Sequence, residues 1–398
     1  MSPAPSIPFR ETKVTPMNTT RISRRKFAHL LGAGAAATAL SRAYSAAPAI
    51  VSPASSPPAG IVRLSSNENA YGPSASALKA MTDSFHVACR YPDEHADGLI
   101  DALAKVNNVS ADQILLGDGS GEILKLCALA FTGPDAADSA GSRGRGKLVA
   151  ADPTFEAILN HAQIGGAEVV KVPLTSTFEH DLPKMAAAAK DGVIYICNPN
   201  NPTASITAKD KIRDFIDQVP DETTILVDEA YLHYVDSSDY ETVIPLVKDH
   251  RNLIVARTFS KIYGMAGLRC GYCVAQKPTI DRMRAQQPWD SVNIVALAAA
   301  VASLHDAEQV SKGRRLNAEA KAFTISALEK LGYETIPSQA NFIMTDLKRP
   351  VPPLIAAMKQ QNVEVGRLFP ALPNYMRITI GKKSEMESFL AALRKVMV

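Results

Sequence analysis

The chain has 398 residues, 46% of them hydrophobic, enough to bury a large core and to form more than one domain. Its formal net charge is only +3, and no basic face or charge block of the kind that binds nucleic acid stands out. No apolar run reaches the roughly 20 residues needed to span a bilayer, so stable membrane insertion is not expected, and the 5 cysteines lack the paired spacing of a zinc site.

In chain order, the first segment reads as an address. Ser23-Arg24-Arg25-Lys26-Phe27 is a twin-arginine pattern, LLGAGAAATAL from Leu30 to Leu40 is a short, weakly apolar run, and Ala43-Tyr44-Ser45-Ala46-Ala47 offers a small-residue cleavage site. Basic, apolar and small-residue regions in that order predict a twin-arginine signal over residues 1–47 and an exported, periplasmic protein. Met17 offers a start that would give the signal a normal length. The competing reading is a tail with a chance arginine pair and a cytoplasmic protein. The Pro-, Ser- and Ala-rich residues 48–60 predict a linker with nothing to pack.

Beyond the linker, short apolar runs alternate with longer amphipathic segments. The runs are Ile114–Leu116, Lys147–Ala151, Glu168–Val172, Val193–Cys197, Thr224–Val227, Leu253–Ala256 and Cys270–Ala275, and Glu122–Phe131 and Ala208–Gln218 read as helices between them. This alternation predicts an α/β domain over residues 91–291 with a mostly parallel sheet covered on both faces. Ligands of such sheets sit at the carboxyl ends of the strands. Cys270 and Cys273 form a C-x-x-C inside a strand-like run, where buried small residues are a better reading than a redox pair. From about residue 292 the pattern changes. Helices are expected over Val292–Leu304, Ala318–Leu331, 351–361 and 384–396, and strands over Gly332–Pro337, Asn341–Thr345, Val363–Val365 and Met376–Ile380. This predicts a smaller α+β domain over residues 292–398, joined by an arm, residues 61–90.

The polar motifs fall at the ends of the runs. In LLGDGSGEILKL, Gly119, Ser120 and Gly121 either present amides at a helix N-terminus, where anions bind favourably, or form only a turn. ADPTFEAI sets Phe155 where a ring can stack on a flat ligand. IYICNPNNPTASI makes a loop from Asn198 to Pro202, restricted by its prolines, with Asn201 able to aim an amide. TTILVDEAYLHY ends a buried strand on Asp228, three residues before Tyr231. A carboxylate there is costly unless a cation pairs with it; helix capping is the plainer alternative. RTFSKIYGMAGLRCGY gathers Thr258, Ser260, Lys261 and Arg269 around Gly264 and Gly267, tools for holding a phosphate, with Lys261 either a point charge or a nucleophile.

Four motifs thus converge on one sheet edge, and pyridoxal 5′-phosphate needs all of them at once. Its phosphate takes the amides of 119–121, the hydroxyls of Thr258 and Ser260, and Arg269. Its protonated ring nitrogen pairs with Asp228, and its phenolic oxygen meets Asn201 and Tyr231. Its aldehyde forms a Schiff base with Lys261, which is then the nucleophile. Burial and cationic neighbours would lower the pKa of Lys261, and its freed amine would shuttle a proton between the substrate's α-carbon and the cofactor.

The ordered set NENAYGPS, RYPD, GDGSGEI, DPTFEAI, NPNNPTA, DEAY, TFSKIYGMAGLRCGY and MRITIG resembles the class I/II aminotransferases of pyridoxal-phosphate fold type I, and within them the histidinol-phosphate aminotransferase branch. The resemblance covers nearly everything after residue 61. It implies a seven-stranded, mostly parallel sheet between helices with a smaller α+β domain. It implies transfer of an amino group from histidinol phosphate or an amino acid to a 2-oxo acid such as 2-oxoglutarate. It also implies a homodimer with shared active sites, in which Tyr91 reaches the partner's cofactor phosphate. Arg377 would hold an anionic group of the substrate, Arg367 would be a second anion-binding arginine, and Tyr71 and Asn341 would line the substrate pocket. The chain departs from the family pattern at Ala204, where glycine is usual, at Asn69-Ala70, at Gly121, and in the V-G-R register before Arg367. Decarboxylase or lyase chemistry on the same fold, and a non-catalytic pyridoxal-phosphate-binding protein, are the alternatives.

Overall fold

A computed structural model describes residues 60–133, 146–189 and 191–397; the expected export signal and the linker up to Ala59 lie outside the described residues. The described residues open with a short strand, β1 (Val62–Leu64). Seven further strands follow: β2 (Ile114–Gly117), β3 (Lys147–Asp152), β4 (Val169–Pro173), β5 (Gly192–Cys197), β6 (Thr223–Asp228), β7 (Leu253–Thr258) and β8 (Gly271–Ala275). They form one sheet in the order β2-β8-β7-β6-β5-β3-β4, parallel throughout except that β8 runs antiparallel to both neighbours.

Both faces of this sheet are covered, which is why its strands read as continuous apolar runs. Ile194 and Ile196 of β5 point into one core with Leu99, Leu103, Phe215 and Leu297. Val193, Tyr195 and Cys197 point into the other with Ile123, Leu126, Ile158 and Met283. The period of two within a single strand thus splits it between two cores. Register places Cys197 beside Asp228 and Asp228 beside Ala256, so neighbouring strands end level with one another.

The rest of the chain supplies two smaller sheets. β10 (Phe342–Asp346) lies between β9 (Glu334–Thr335) and β12 (Tyr375–Thr379), antiparallel to both. β11 (Val363–Val365) pairs in parallel with β1. Leu64, Ile343, Val365, Ile378, Phe389 and Leu393 share a third core. The helix Ile294–Leu304, expected to open the smaller domain, sends Ala296, Leu297 and Ala300 into a core of the seven-stranded sheet.

Several boundaries differ from expectation for physical reasons. The helix expected at Ala318 begins at Ala307, where Asp306 caps it by accepting from the amides of Glu308 and Gln309. Its first turns, AEQVSKGRR, are polar and carry no apolar period to read. The strand expected over Gly332–Pro337 narrows to Glu334–Thr335. The helix expected from Glu122 opens at Gly119, so the glycine motif is itself the first turn. The helices Ala75–Ser84 and Asp93–Asn107 went unread; the first is announced only by Ser74, whose hydroxyl accepts from the Ala77 amide. No helix among the described residues is long and apolar enough to cross a membrane.

Candidate active site

The carboxyl ends of β3, β5, β6 and β7, with the turn after β2 and the loop entering β8, open on a cavity of about 300 Å³. Twelve of the residues singled out in the sequence line it: Ser120, Gly121, Phe155, Asn201, Asp228, Tyr231, Thr258, Ser260, Lys261, Arg269, Arg367 and Arg377.

Lys261 lies three residues past the end of β7. Its Nζ donates to the Asn67 carbonyl at 3.2 Å and sits 5.4 Å from the centre of the Tyr231 ring. It pairs with no carboxylate among the described residues. Burial, and then the nearby Arg377 charge, bring its pKa down to about 8 against the pull of Asp228. About a tenth of its amine is therefore free at pH 7, several hundred times more than an ordinary lysine offers a nucleophilic role.

Asp228 closes β6 with 2% of its surface exposed. Its Oδ2 accepts from the Tyr195 hydroxyl at 2.9 Å and its Oδ1 from the Ala230 amide at 3.1 Å. The cation expected beside it is not supplied by the protein: no ion pair involves Asp228 among the described residues. Burial therefore pushes its pKa up to about 6. The capping alternative fails, because the single 3₁₀ turn Leu232–Tyr234 follows rather than an α-helix.

The Tyr231 hydroxyl accepts from Asn67 Nδ2 at 3.1 Å and Asn201 Nδ2 at 3.4 Å, and its ring meets Phe342 edge-on. Burial pushes the phenol up, so it stays protonated. Across the cavity a cup of donors forms. Thr258 donates to Ser260 Oγ at 2.9 Å, and Arg269 reaches the same oxygen at 3.5 Å and the Asp118 carbonyl at 3.4 Å. Gly119 does not line the cavity but shapes the cup: at φ +73°, a Cβ there would lie 2.1 Å from the Arg269 guanidinium. A Cβ on Gly271 would lie 2.3 Å from the Ser120 amide.

Arg377, 8% exposed, donates to Asn201 Oδ1 at 2.7 Å and the Ser65 carbonyl at 2.6 Å. Its Nε is buried without a partner, and its guanidinium lies near the Phe342 and Phe369 rings. Arg367 pairs with Glu156 and lies over Phe369. Besides Gly119, three residues singled out in the sequence do not line the cavity. Asn341 is buried behind it, donating to the Asn67 and Glu68 carbonyls and so holding the turn that meets Lys261. Tyr71 is 43% exposed and Tyr91 80% exposed. Sequence reasoning missed Asn67, Glu156, Phe369 and Tyr195. Asn67 lay within a motif already quoted; Tyr195 reads as core, and only the fold brings its hydroxyl to Asp228.

A buried carboxylate lacking a cation, a cup of hydroxyls and a guanidinium lacking an acid, and an orphaned guanidinium nitrogen fit a flat, cationic heterocycle bearing a phosphate, with an anionic substrate beside it. The donor set thus suits pyridoxal 5′-phosphate. Comparison with known proteins agrees. Residues 59–393 match the family model for aminotransferase class I and II. The chain is 38% identical over 343 residues to the histidinol-phosphate aminotransferase of Moorella thermoacetica, covering 85% of this chain and 86% of that one. The solved histidinol-phosphate aminotransferase of Sinorhizobium meliloti, in complex with pyridoxal-5′-phosphate, superimposes with a TM-score of 0.76 at 26% identity, covering 85% of this chain and 91% of that one. The L-threonine-O-3-phosphate decarboxylase of Porphyromonas gingivalis does so with a TM-score of 0.73 at 26% identity, covering 84% and 99%.

Proposed function

The chain belongs to the class I and II aminotransferases, and from that premise we propose a role for each residue of the site and a substrate range. The enzyme is a pyridoxal-phosphate-dependent aminotransferase that moves an amino group between an anionic amino compound and a 2-oxo acid such as 2-oxoglutarate. The amino compound is histidinol phosphate, which the relatives' name implies, or an amino acid. The observation that carries the reading is Lys261 held as a depressed-pKa amine in the same cavity as the unpaired Asp228.

When bound, the cofactor supplies an electron-withdrawing ring that stabilises negative charge at the substrate's α-carbon. Asp228 would hold the ring nitrogen in its protonated form, with Tyr195 fixing the carboxylate. Asn201 and Tyr231 would hold the phenolic oxygen, and Phe155 would cover a ring face. Ser120, Gly121, Thr258, Ser260 and Arg269 would hold the phosphate over Gly119, helped by Tyr91 of the second subunit of a homodimer. Lys261 would supply the amine that holds the cofactor and would accept and return the proton at the substrate's α-carbon. Arg377 would clamp the substrate's anionic group, a bidentate use that its free Nε supports. Residues 1–47 would act as a twin-arginine export signal, a route that carries folded proteins and so permits cofactor loading first.

Borohydride treatment of the isolated protein is expected to leave a B6 vitamer fixed on Lys261 in a peptide map, and Lys261→Ala is expected to abolish turnover while retaining cofactor non-covalently. An unmodified Lys261, or full activity in Lys261→Ala, sinks the assignment. The likeness to a decarboxylase supports a second reading. Carbon dioxide release without glutamate formation from 2-oxoglutarate would select it.

A further inference from the structure

We propose that Asn67 is a positioning residue for the reacting centre: its side-chain amide occupies the Tyr231 hydroxyl, so that the tyrosine can only donate its hydrogen into the cavity, onto the cofactor's phenolic oxygen. The proposal rests on the aminotransferase reading above. Asn67 is 1% exposed, lines the cavity and sits at φ +55°, a left-handed conformation that asparagine tolerates. Each of its polar groups is used. Its backbone amide donates to Thr379 Oγ1 at 2.9 Å, and its carbonyl accepts from Lys261 Nζ at 3.2 Å and Asn341 Nδ2 at 3.1 Å. Its Nδ2 donates to the Tyr231 hydroxyl at 3.1 Å, and its Oδ1 accepts from Thr379 Oγ1 at 3.2 Å. One residue of the arm thus touches both the amine and the phenol. Asn69 Nδ2 ties the same turn to the Ile262 carbonyl at 2.8 Å, directly beside Lys261.

The direction of the Tyr231 hydrogen follows from its surroundings. Thr379 Oγ1 accepts the Asn67 backbone amide and still has its own hydrogen to give, and among the described residues Asn67 Oδ1 is the only acceptor for it. Turning the Asn67 side chain over would strand that hydrogen on a residue only 2% exposed. Asn67 Nδ2 therefore faces Tyr231. Asn201 is fixed in a similar way. Arg377 can only donate, and it does so to Asn201 Oδ1 at 2.7 Å, which leaves Asn201 Nδ2 for the Tyr231 hydroxyl at 3.4 Å. A phenol oxygen flanked by two amide donors has only its hydrogen left to offer, and no acceptor among the described residues takes it. The Asn67 bond also makes the phenol a stronger donor. Burial raises the Tyr231 pKa, and the bond from Asn67 is the largest influence in the opposite direction.

The test follows the visible absorbance of the bound cofactor against pH, without turnover. The proton lost as pH rises leaves its charge on the phenolic oxygen, so a weaker donor there moves the midpoint up. Asn67→Gly suits the left-handed backbone and keeps the carbonyl that Lys261 and Asn341 use, removing only the side-chain amide. It is expected to raise the midpoint by roughly half a pH unit. Tyr231→Phe is expected to raise it by about one unit or more, and the double variant to match Tyr231→Phe to within about 0.2 unit, because Asn67 acts through the phenol. Asn67→Asp keeps the size but turns the donor into an acceptor, and its rise too is expected to shrink when it is combined with Tyr231→Phe. A residue that only fills space would lower the melting temperature and leave the midpoint where it is. A shift under about 0.2 unit in Asn67→Gly, or one that persists undiminished beside Tyr231→Phe, overturns the proposal. A wild type with no Lys261-linked absorbance sinks the aminotransferase reading and the role of Asn67 together, whereas a normal wild-type spectrum with a failed double-variant comparison sinks the role of Asn67 alone.

Discussion

Asp228 is a buried carboxylate with no ion pair among the described residues, and that has a measurable consequence. Its pKa in the folded protein is raised from 3.8 to about 6, chiefly by desolvation. A raised folded pKa means its favourable contribution is complete below about pH 4 and is lost as pH climbs through 6. At pH 8 the ionised group costs the cofactor-free protein up to about 3 kcal/mol, the size of the shift at roughly 1.4 kcal/mol per unit. Asp228→Asn removes that cost while leaving groups for Tyr195 and the Ala230 amide to meet. The cofactor-free variant is therefore expected to be more stable than wild type at pH 8, by up to about 3 kcal/mol, and equal to it near pH 4. Loaded with cofactor, the same variant is expected to lose turnover by roughly 10²-fold or more, because nothing keeps the ring nitrogen protonated. Chemical denaturation of the two cofactor-free proteins at both pH values checks the first half. Parallel pH profiles would show that Asp228 finds a cation the structure does not contain.

At the scale of elements, the site exists because several strand ends finish level and two glycines let their loops touch. Gly119 and Gly271 are crowded in different ways. A Cβ at 119 meets the far end of a flexible arginine, whereas one at 271 meets the backbone of Ser120 at 2.3 Å and of Gly119 at 2.6 Å. Gly119→Ala is therefore expected to fold, at a cost of roughly 1–2 kcal/mol for its positive φ, but to push Arg269 aside and weaken cofactor affinity about tenfold or more. Gly271→Ala is expected to lose more stability, since β8 must part from the phosphate turn. Thermal melts set beside cofactor titrations separate the two, and equal losses in both variants would contradict the cup geometry. The same elements explain what the sequence disclosed. Buried strands such as β5 and β6 are unbroken apolar runs between turn formers, so they, Asp228 at the end of β6 and Asn201 in the loop after β5 were legible. The helix Ala307–Lys330 was half-read, because its polar first turns are set by a cap and not by a period. Tyr195 and Glu156 were invisible because their partners, Asp228 and Arg367, lie 33 and 211 residues away. Only the folded sheet order brings those distances to hydrogen-bond length.

The whole molecule leaves Tyr91 80% exposed and outside its own chain's cavity, with Phe85 and Trp289 also uncovered. An exposed tyrosine outside its own chain's cavity, with a role on a cofactor phosphate by resemblance, would serve a second subunit in the proposed homodimer. A closed twofold dimer would place each Tyr91 in the partner's site, since such an interface is reciprocal. Complementation tests this without a dimer structure. Lys261→Ala chains keep Tyr91 but lack the amine that turnover needs, and Tyr91→Ala chains keep Lys261 but lose the phosphate contact. If Tyr91 acts across the interface, a mixed dimer has one intact site, formed by the lysine of one chain and the tyrosine of the other. Random pairing makes half the dimers mixed, so an equal mixture refolded together is expected to recover about one quarter of wild-type activity at limiting cofactor, above the sum of the two homodimers. If Tyr91 acts within its own chain, no mixed dimer holds a complete site and the mixture only averages its parents. Light scattering at assay concentration supplies the remaining control, because a monomer with full cofactor affinity would leave Tyr91 no partner to serve.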